Sequence, residues 1–403
     1  MKFNRREFLR GSALATAGFL PGCRTFGADG NYSVSLLGDL HYDRPPIDVF
    51  HSGFRAVHGG DGMFGRYRTE FESFSSMWGE KGRSAGLVAA SGCCRTSNTA
   101  FALQLGDLVE GDCESSETHV RMFKEAFRIV KDAYGADLPF VTVAGNHDVR
   151  RGGDRLGEYD TYAKLSAAWH TKELGIKITE PTFAFRQGPD IWIVADFNRP
   201  DVDLTAHFLT ENSDARYTFF CTHGAVLTDG MRSARRWFYL GGPQYDAAGR
   251  RTPSAWTSED WARYDADRRR MRRLLAECHA IALTGHSHRL ELRDWFGDGG
   301  RITEFVMNSV TKTAKGGSIP GLPRVIGERP QDFGRCRRSP KEKTVATVES
   351  LYAEYEAGIR RYFTADAAGH ARLRISDEGV FADYYPLDTV VPSQTFEIRA
   401  VRS

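Results

Sequence analysis

Tyr32-Ser33-Val34-Ser35-Leu36-Leu37-Gly38-Asp39-Leu40-His41 is an apolar run that stops abruptly at a glycine and two polar side chains. The same event recurs four times downstream. Phe101–Leu105 stops at Gly106-Asp107, and Phe140–Val143 stops near Gly145-Asn146. Tyr217–Cys221 stops at Thr222-His223, and Ala280–Leu283 stops at Gly285-His286. Short β-branched or leucine-rich runs of this kind read as buried strands. Helical spacing appears between them. Val120, Phe123, Phe127, Val130 and Tyr134 predict a helix stopped by Gly135, and Trp261, Tyr264, Met271, Leu275 and Cys278 predict another opened by Thr257-Ser258-Glu259-Asp260. Alternating strands and helices imply a layered α/β fold, in which chemistry gathers at the carboxyl ends of the strands. The five polar clusters are therefore candidates for a single site.

Outward from these blocks the chain is ordinary in composition. Its 403 residues are 41 % hydrophobic, 26 % charged and 12 % aromatic, which excludes wholesale disorder, collagen-like repeats and a disulfide-stapled miniprotein. No apolar run is long enough for a multi-pass membrane protein. Three stretches read as additions: residues 42–100, glycine-rich and weakly periodic; residues 224–256, with Arg232, Arg235, Arg236, Arg250 and Arg251; and the basic Gly/Pro-rich loop 311–345. Five arginines, Arg268, Arg269, Arg270, Arg272 and Arg273, read as an exposed charged helix face rather than a nucleic-acid surface. Strands Ala371–Ile375, Val380–Tyr385 and Thr395–Val401 close the sequence.

At the strand ends stand Asp39, His41, Asp107, Asn146, His147, His223, His286 and His288. Carboxylate, imidazole and amide ligands without thiolates suit Zn, Mn or Fe. In extended chain, Asp39 and His41 share one face, and His286-Ser287-His288 repeats that spacing. Two metals a few ångströms apart need an anionic bridge with two oxygens, for which Asp107 is the natural candidate.

Gly38-Asp39-Leu40-His41, Gly106-Asp107-Leu108-Val109-Glu110, Gly145-Asn146-His147-Asp148, Thr222-His223 and Gly285-His286-Ser287-His288 resemble, in order, the five blocks of the calcineurin-like metallophosphoesterase superfamily. The resemblance implies a four-layer αββα sandwich with a catalytic core over residues 31–310. A C-terminal helix and strands over 346–403 complete it. It also implies two divalent or trivalent metal ions. Asp39, His41, Asp107 and His288 would hold the first, and Asp107, Asn146, His223 and His286 the second. A metal-bridging hydroxide would attack phosphorus in line. His147 would sit beside the metals and protonate the leaving oxygen, and Glu110 stands where many relatives place an acid that orients this histidine. Glu110-Gly111 departs from the aspartate–arginine pair of the protein serine/threonine phosphatases, so their phosphate-clamping arginine is missing at that position. Purple acid phosphatases place a metal-binding tyrosine where Glu110 stands. The expected substrate is a phosphorylated small molecule or a diester, with no specific nucleic-acid partner. A non-catalytic metal-stabilised binding protein of the cell envelope and a nuclease are the alternatives.

Residues 1–22 read as an address. Arg5-Arg6-Glu7-Phe8-Leu9-Arg10 before the apolar stretch Ala13–Leu20 resembles a twin-arginine signal, which engages an export machinery that carries folded, often metal-loaded proteins. Leu20-Pro21-Gly22-Cys23 resembles a lipoprotein cleavage box, although Pro21 departs from the usual small residue. Lipid anchoring at Cys23 and cleavage a few residues later are the alternatives. Both place the mature chain in the periplasm or cell envelope. Lys2, Arg5, Arg6 and Arg10 against Glu7 account for the positive formal charge of +2, so bulk charge says nothing of partners. Of the seven cysteines, Cys221 and Cys278 read as buried fillers, and no spacing matches a zinc motif.

Overall fold

The computed structural model describes residues 30–42, 91–92, 94–111, 115–151, 156–227, 258–310, 355, 357–365, 368–386 and 391–400. The expected leader, the box at Cys23, most of the first two insertions, and the loop 311–345 lie outside them. So does the stretch expected to hold the C-terminal helix, apart from Tyr355, Ala357 and Gly358. Strands β1 (Tyr32–Leu37), β2 (Thr99–Gln104) and β3 (Phe140–Thr142) run parallel. Antiparallel β11 (Gly369–Ser376), β12 (Gly379–Pro386) and β13 (Gln394–Ala400) extend the sheet beyond β1, giving the order β13-β12-β11-β1-β2-β3. The second sheet runs β10-β8-β9-β7-β6-β5-β4. Its strands are β4 (Phe183–Gln187), β5 (Asp190–Val194), β6 (Thr218–Cys221), β7 (Ile281–Thr284), β8 (Leu290–Gly297), β9 (Gly300–Val306) and β10 (Ile359–Ala365). Within it β5, β6, β7 and β9 are parallel.

Two-residue periodicity sorts each strand into two faces and so builds the layers. Val34, Leu36, Phe101 and Leu103 from the first sheet meet Phe185, Trp192 and Phe219 from the second in one core. Phe101 packs edge-on against Phe185 and Trp192, with centroids 5.4 and 4.9 Å away. A polar thread through this layer is satisfied: Trp192 Nε1 donates to Tyr32 Oη, which donates to Asp190. Leu37, Ala102 and Phe140 face the other way, beneath helices α1 (Ser116–Tyr134) and α2 (Tyr159–Leu174). Ile191, Ile193, Phe220 and Ala282 likewise lie beneath α3 (Val202–Glu211) and α4 (Ser258–Glu277). The result is helix, sheet, sheet, helix, the four-layer arrangement expected.

Helix α1 starts where Ser115 accepts from the Thr118 N–H and stops where the Gly135 N–H donates to Lys131 O, as its spacing predicts. Val120 lies half-buried at its rim, and His119 and Ile129 fill core positions instead. The arginine face of α4 needs correction, because Arg268 and Arg272 are buried. Arg268 donates to Tyr355 Oη and Arg272 to Asp298, and the Arg272 guanidinium lies 5.1 Å from the Trp295 ring centre. Their stems pack as apolar surface while the charges are satisfied. Only Arg269, Arg270 and Arg273 of the five are exposed. Both ends of the first insertion and the start of the second are framework as well. Tyr42 is buried and bridges Val109, β2 begins at Thr99, and Ala225, Val226 and Leu227 are buried. Cys221 and Cys278 are free thiols, Cys278 only half-buried. No helix among the described residues is long and apolar enough to cross a membrane.

Candidate metal centre

Parallel strands put their carboxyl ends on one edge, and here the edges of both sheets coincide. The turns after β1, β2 and β3 bring Asp39, His41, Asp107, Asn146 and His147. Those after β6 and β7 bring His223, His286 and His288. Hydrogen bonds between the two sets fix the junction: His223 Nδ1 lies 2.7 Å from Leu105 O, and the His286 N–H donates to Asp39 Oδ1 at 3.0 Å. Glycine is required beside the first of these contacts. Gly106 has φ +89°, and a Cβ there would fall 2.5 Å from the His223 ring.

Two clusters of ligand atoms result. In one, His288 Nε2 is 2.8 Å from Asp39 Oδ2 and 3.0 Å from His41 Nε2. In the other, His223 Nε2 is 3.1 Å from Asp107 Oδ2, 3.2 Å from Asn146 Oδ1 and 3.0 Å from His286 Nδ1. Asp107 Oδ2 also lies 3.9 Å from His41 Nε2, so this one atom borders both clusters. Among the described residues, Asp39–His41–His288 and Asp107–His223–His286 each offer three ligand atoms within 4.8 Å of one another.

These contacts set electron pairs against electron pairs. His223 spends its Nδ1 proton on Leu105 O, which leaves an Nε2 lone pair facing carboxylate and amide oxygens. His41 Nδ1 lies 2.8 Å from Glu110 Oε2, which turns its Nε2 toward the Nε2 of His288. Asp39 Oδ2 meets imidazole nitrogens, and Asn146 Nδ2 is buried with no hydrogen-bond partner among the described residues. Such an array is stable around protons or cations, and its nitrogen and oxygen donors fit Mn, Fe or Zn. The electrostatics show how a proton can take the cation's place. Burial alone would push His223 down, but the charges of Asp107 and Asp39 outweigh it and raise the ring to about 9. Against the opposing effect of burial, His223 and His288 hold the Asp39 carboxyl far below the usual range.

Backbone strain marks the same residues. His41, Asp107, His286 and His288 have φ of +45°, +53°, +65° and +49°, a left-handed conformation that non-glycine residues adopt at a cost. The extended spacing expected for Asp39-x-His41 and His286-x-His288 is thus replaced. A left-handed backbone at the histidine, not a pleat, turns each pair inward.

Glu110 spans two histidines: its Oε2 is 2.8 Å from His41 Nδ1 and its Oε1 3.3 Å from His147 Nδ1. Burial would raise its pKa, yet these rings hold it well below the usual carboxylate range. His147 Nδ1 lies 2.7 Å from the Glu110 carbonyl oxygen, and the His147 N–H donates to Asp107 Oδ1. His147 Nε2 is 4.0 Å from Asp107 Oδ2, so distance alone would also admit this ring beside His41 and Asp107 as a ligand.

Several supporting residues escaped the sequence reading. Asp148 accepts from the N–H groups of Asp107, Gly145 and Val109, and burial with the nearby Asp107 charge raises it to about 7. Its position directly after His147 was the available signal. Gln104 ties three strand ends together, donating to Gly38 O and accepting from Gly106 N and Thr142 Oγ1. Ser309 Oγ donates to Asp39 O, and Phe197 walls the rings of His223 and His286.

Against known proteins, residues 32–290 match the Calcineurin-like phosphoesterase family, more than half of the chain. Comparison with curated proteins gives no match. Solved structures to which the chain is distantly similar include three of differing description. One titled Structure of PhoD is 11 % identical with TM-score 0.47, over 91 % of this chain and 68 % of that one. A dimetal phosphatase from Danio rerio is 11 % identical with TM-score 0.44, over 91 % and 99 %. GAP50, the anchor in the inner membrane complex of Plasmodium, is 10 % identical with TM-score 0.42, over 92 % and 90 %. By the family match, which takes in the ends of all five strands described above, the chain belongs to the Calcineurin-like phosphoesterase family.

Proposed function

We propose that the chain is a dinuclear metallophosphoesterase that hydrolyses a phosphomonoester or phosphodiester outside the cytoplasm. The observation that carries this reading is the pair of lone-pair clusters bordered by one oxygen, Asp107 Oδ2. Asp39, His41, Asp107 and His288 hold one ion, and Asp107, Asn146, His223 and His286 hold the other. When bound, the ions supply Lewis-acid charge to the phosphoryl oxygens and acidify water. His147 supplies the proton for the leaving oxygen. Its Nδ1 is occupied by the Glu110 carbonyl, which leaves Nε2 on the side of Asp107. The Glu110 carboxylate holds His41 and His147 at a fixed spacing. Residues 1–22 direct export through a twin-arginine machinery, with or without a lipid on Cys23.

Bound metal per chain, together with hydrolysis of p-nitrophenyl phosphate and its bis-ester with and without Mn, tests the reading. Two ions with turnover, metal lost in His223→Ala, and turnover reduced roughly 10²- to 10⁴-fold in a metal-loaded His147→Ala are expected. Full metal occupancy without turnover on a broad phosphoester panel would make the chain a metal-stabilised binding protein instead.

A further inference from the structure

Gly111 stands where an arginine would be needed to repeat the phosphate clamp of the protein serine/threonine phosphatases, and the local geometry explains why no side chain is there. Its φ is +68°, and a Cβ would fall 2.1 Å from His147 O. The same hypothetical Cβ lies 3.5 Å from the Cβ of Arg150. An arginine therefore enters this corner from the opposite wall. Arg150 NH1 lies 3.1 Å from His147 Nε2 and 3.4 Å from Nδ1. NH1 is thus nearly equidistant from the two ring nitrogens, so the guanidinium lies against the imidazole rather than along the Nε2 lone pair, while the Glu110 carbonyl oxygen lies 2.7 Å from Nδ1. The adjacent Arg151 behaves differently. It donates to Ser116 Oγ at 2.8 Å and pairs with Glu158 at 3.2 Å, joining the start of α1 to the segment before α2.

We propose that Arg150 is a phosphate-positioning residue that replaces the arginine excluded at position 111. In the substrate-free site its guanidinium rests on His147. When a phosphoryl group enters beside Asp107 and His147, the planar fork turns its donors to two phosphoryl oxygens, and His147, relieved of the neighbouring cation, takes a proton from water at Nε2 and presents it to the leaving oxygen. Charge-assisted contacts of this kind matter most for a dianionic group. The ligand class is therefore a terminal phosphate, that of monoester substrates and inorganic phosphate, before diesters. This inference rests on the phosphoesterase reading above.

The test uses Mn-loaded protein, with kcat and KM for p-nitrophenyl phosphate and its bis-ester, and calorimetric affinity for inorganic phosphate. Arg150→Ala is expected to weaken phosphate binding and kcat/KM for the monoester roughly 10- to 100-fold, with a smaller loss on the diester. Metal content should stay unchanged, added guanidinium should restore part of the loss, and Arg150→Lys should fall between the two. Arg151→Ala should leave phosphate affinity unchanged. Wild-type phosphate affinity in Arg150→Ala, with kcat intact or reduced, overturns the proposal, because Arg150 would then at most prop His147. If Arg150→Ala melts early, Arg150→Gln is read by the same criteria. Should the wild-type protein turn over neither ester, the phosphoesterase reading fails, and phosphate calorimetry on the metal-loaded protein still decides Arg150 by itself.

Discussion

Two sets of histidines lie equally deep in this molecule and behave in opposite ways. His119, His170 and His370 are 0 %, 1 % and 0 % exposed, and His41 and His223 are 3 % and 0 %. In the first set burial lowers the rings to about 4, 3 and 4. His370 stacks flat on Tyr385 with neither nitrogen hydrogen-bonded among the described residues, and His170 accepts one backbone N–H from Thr142. In the second set burial also pushes down, but Glu110 and Asp39 raise His41, and Asp107 and Asp39 raise His223. Depth is therefore a poor guide to role in this fold. Carboxylates in the pocket set His41 and His223 apart from His170 and His370, whereas His119 stays low with the Glu158 carboxylate 3.9 Å away because burial outweighs that charge.

The hardest blow to this contrast is Asp107→Asn, which keeps the shape and removes the charge that both clusters share. Loss of bound metal and a fall in turnover of roughly 10³-fold or more are expected, measured by metal content and p-nitrophenyl phosphate hydrolysis. Retained metal would show that the clusters do not depend on a common carboxylate. A smaller effect, about 10- to 100-fold in metal affinity or turnover, is expected for Glu110→Gln, because it loosens two imidazoles without removing a ligand. The weakest perturbation is pH. The packing histidines have folded pKa values below the ordinary 6.5, so the unfolded chain takes the proton first. Their contribution is complete above about pH 6.5 and is lost as pH falls toward 4, at a cost on the order of 2 kcal/mol per ring by pH 5. His370→Leu should flatten that slope in urea titrations between pH 7 and 5. An unchanged slope would mean that the acid sensitivity lies elsewhere.

Much of this was legible in the chain because one device is used five times, an apolar run cut off by a polar cluster. The ends of β1, β2, β3, β6 and β7 could be located that way, and with them all eight strand-end residues that the structure brings together. Helix α2 was not legible. Its buried face carries Ser166 and His170 among Tyr159, Tyr162 and Leu174, so no clean apolar stripe betrays it. Strands β4 and β5 were also missed, although Gly188-Pro189 between them is an ordinary turn signal. Arg268 and Arg272 read as surface because their partners, Tyr355 and Asp298, are distant in sequence. The left-handed turns at His41 and His288 carry no local signature, since neither position is glycine. They are imposed by the assembled site.

The junction of the two sheets has one more consequence. Asp39 and Asp107 come from one sheet, and His223, His286 and His288 from the other, so the complete ligand set exists only after the inner faces have docked. Metal acquisition, on the proposed reading, is then a late event that reports finished folding and fastens the layers at one edge. On that same reading, the cation carried by the working protein would be chosen where the chain folds, from whatever ions that compartment offers, and not where the protein meets its substrate.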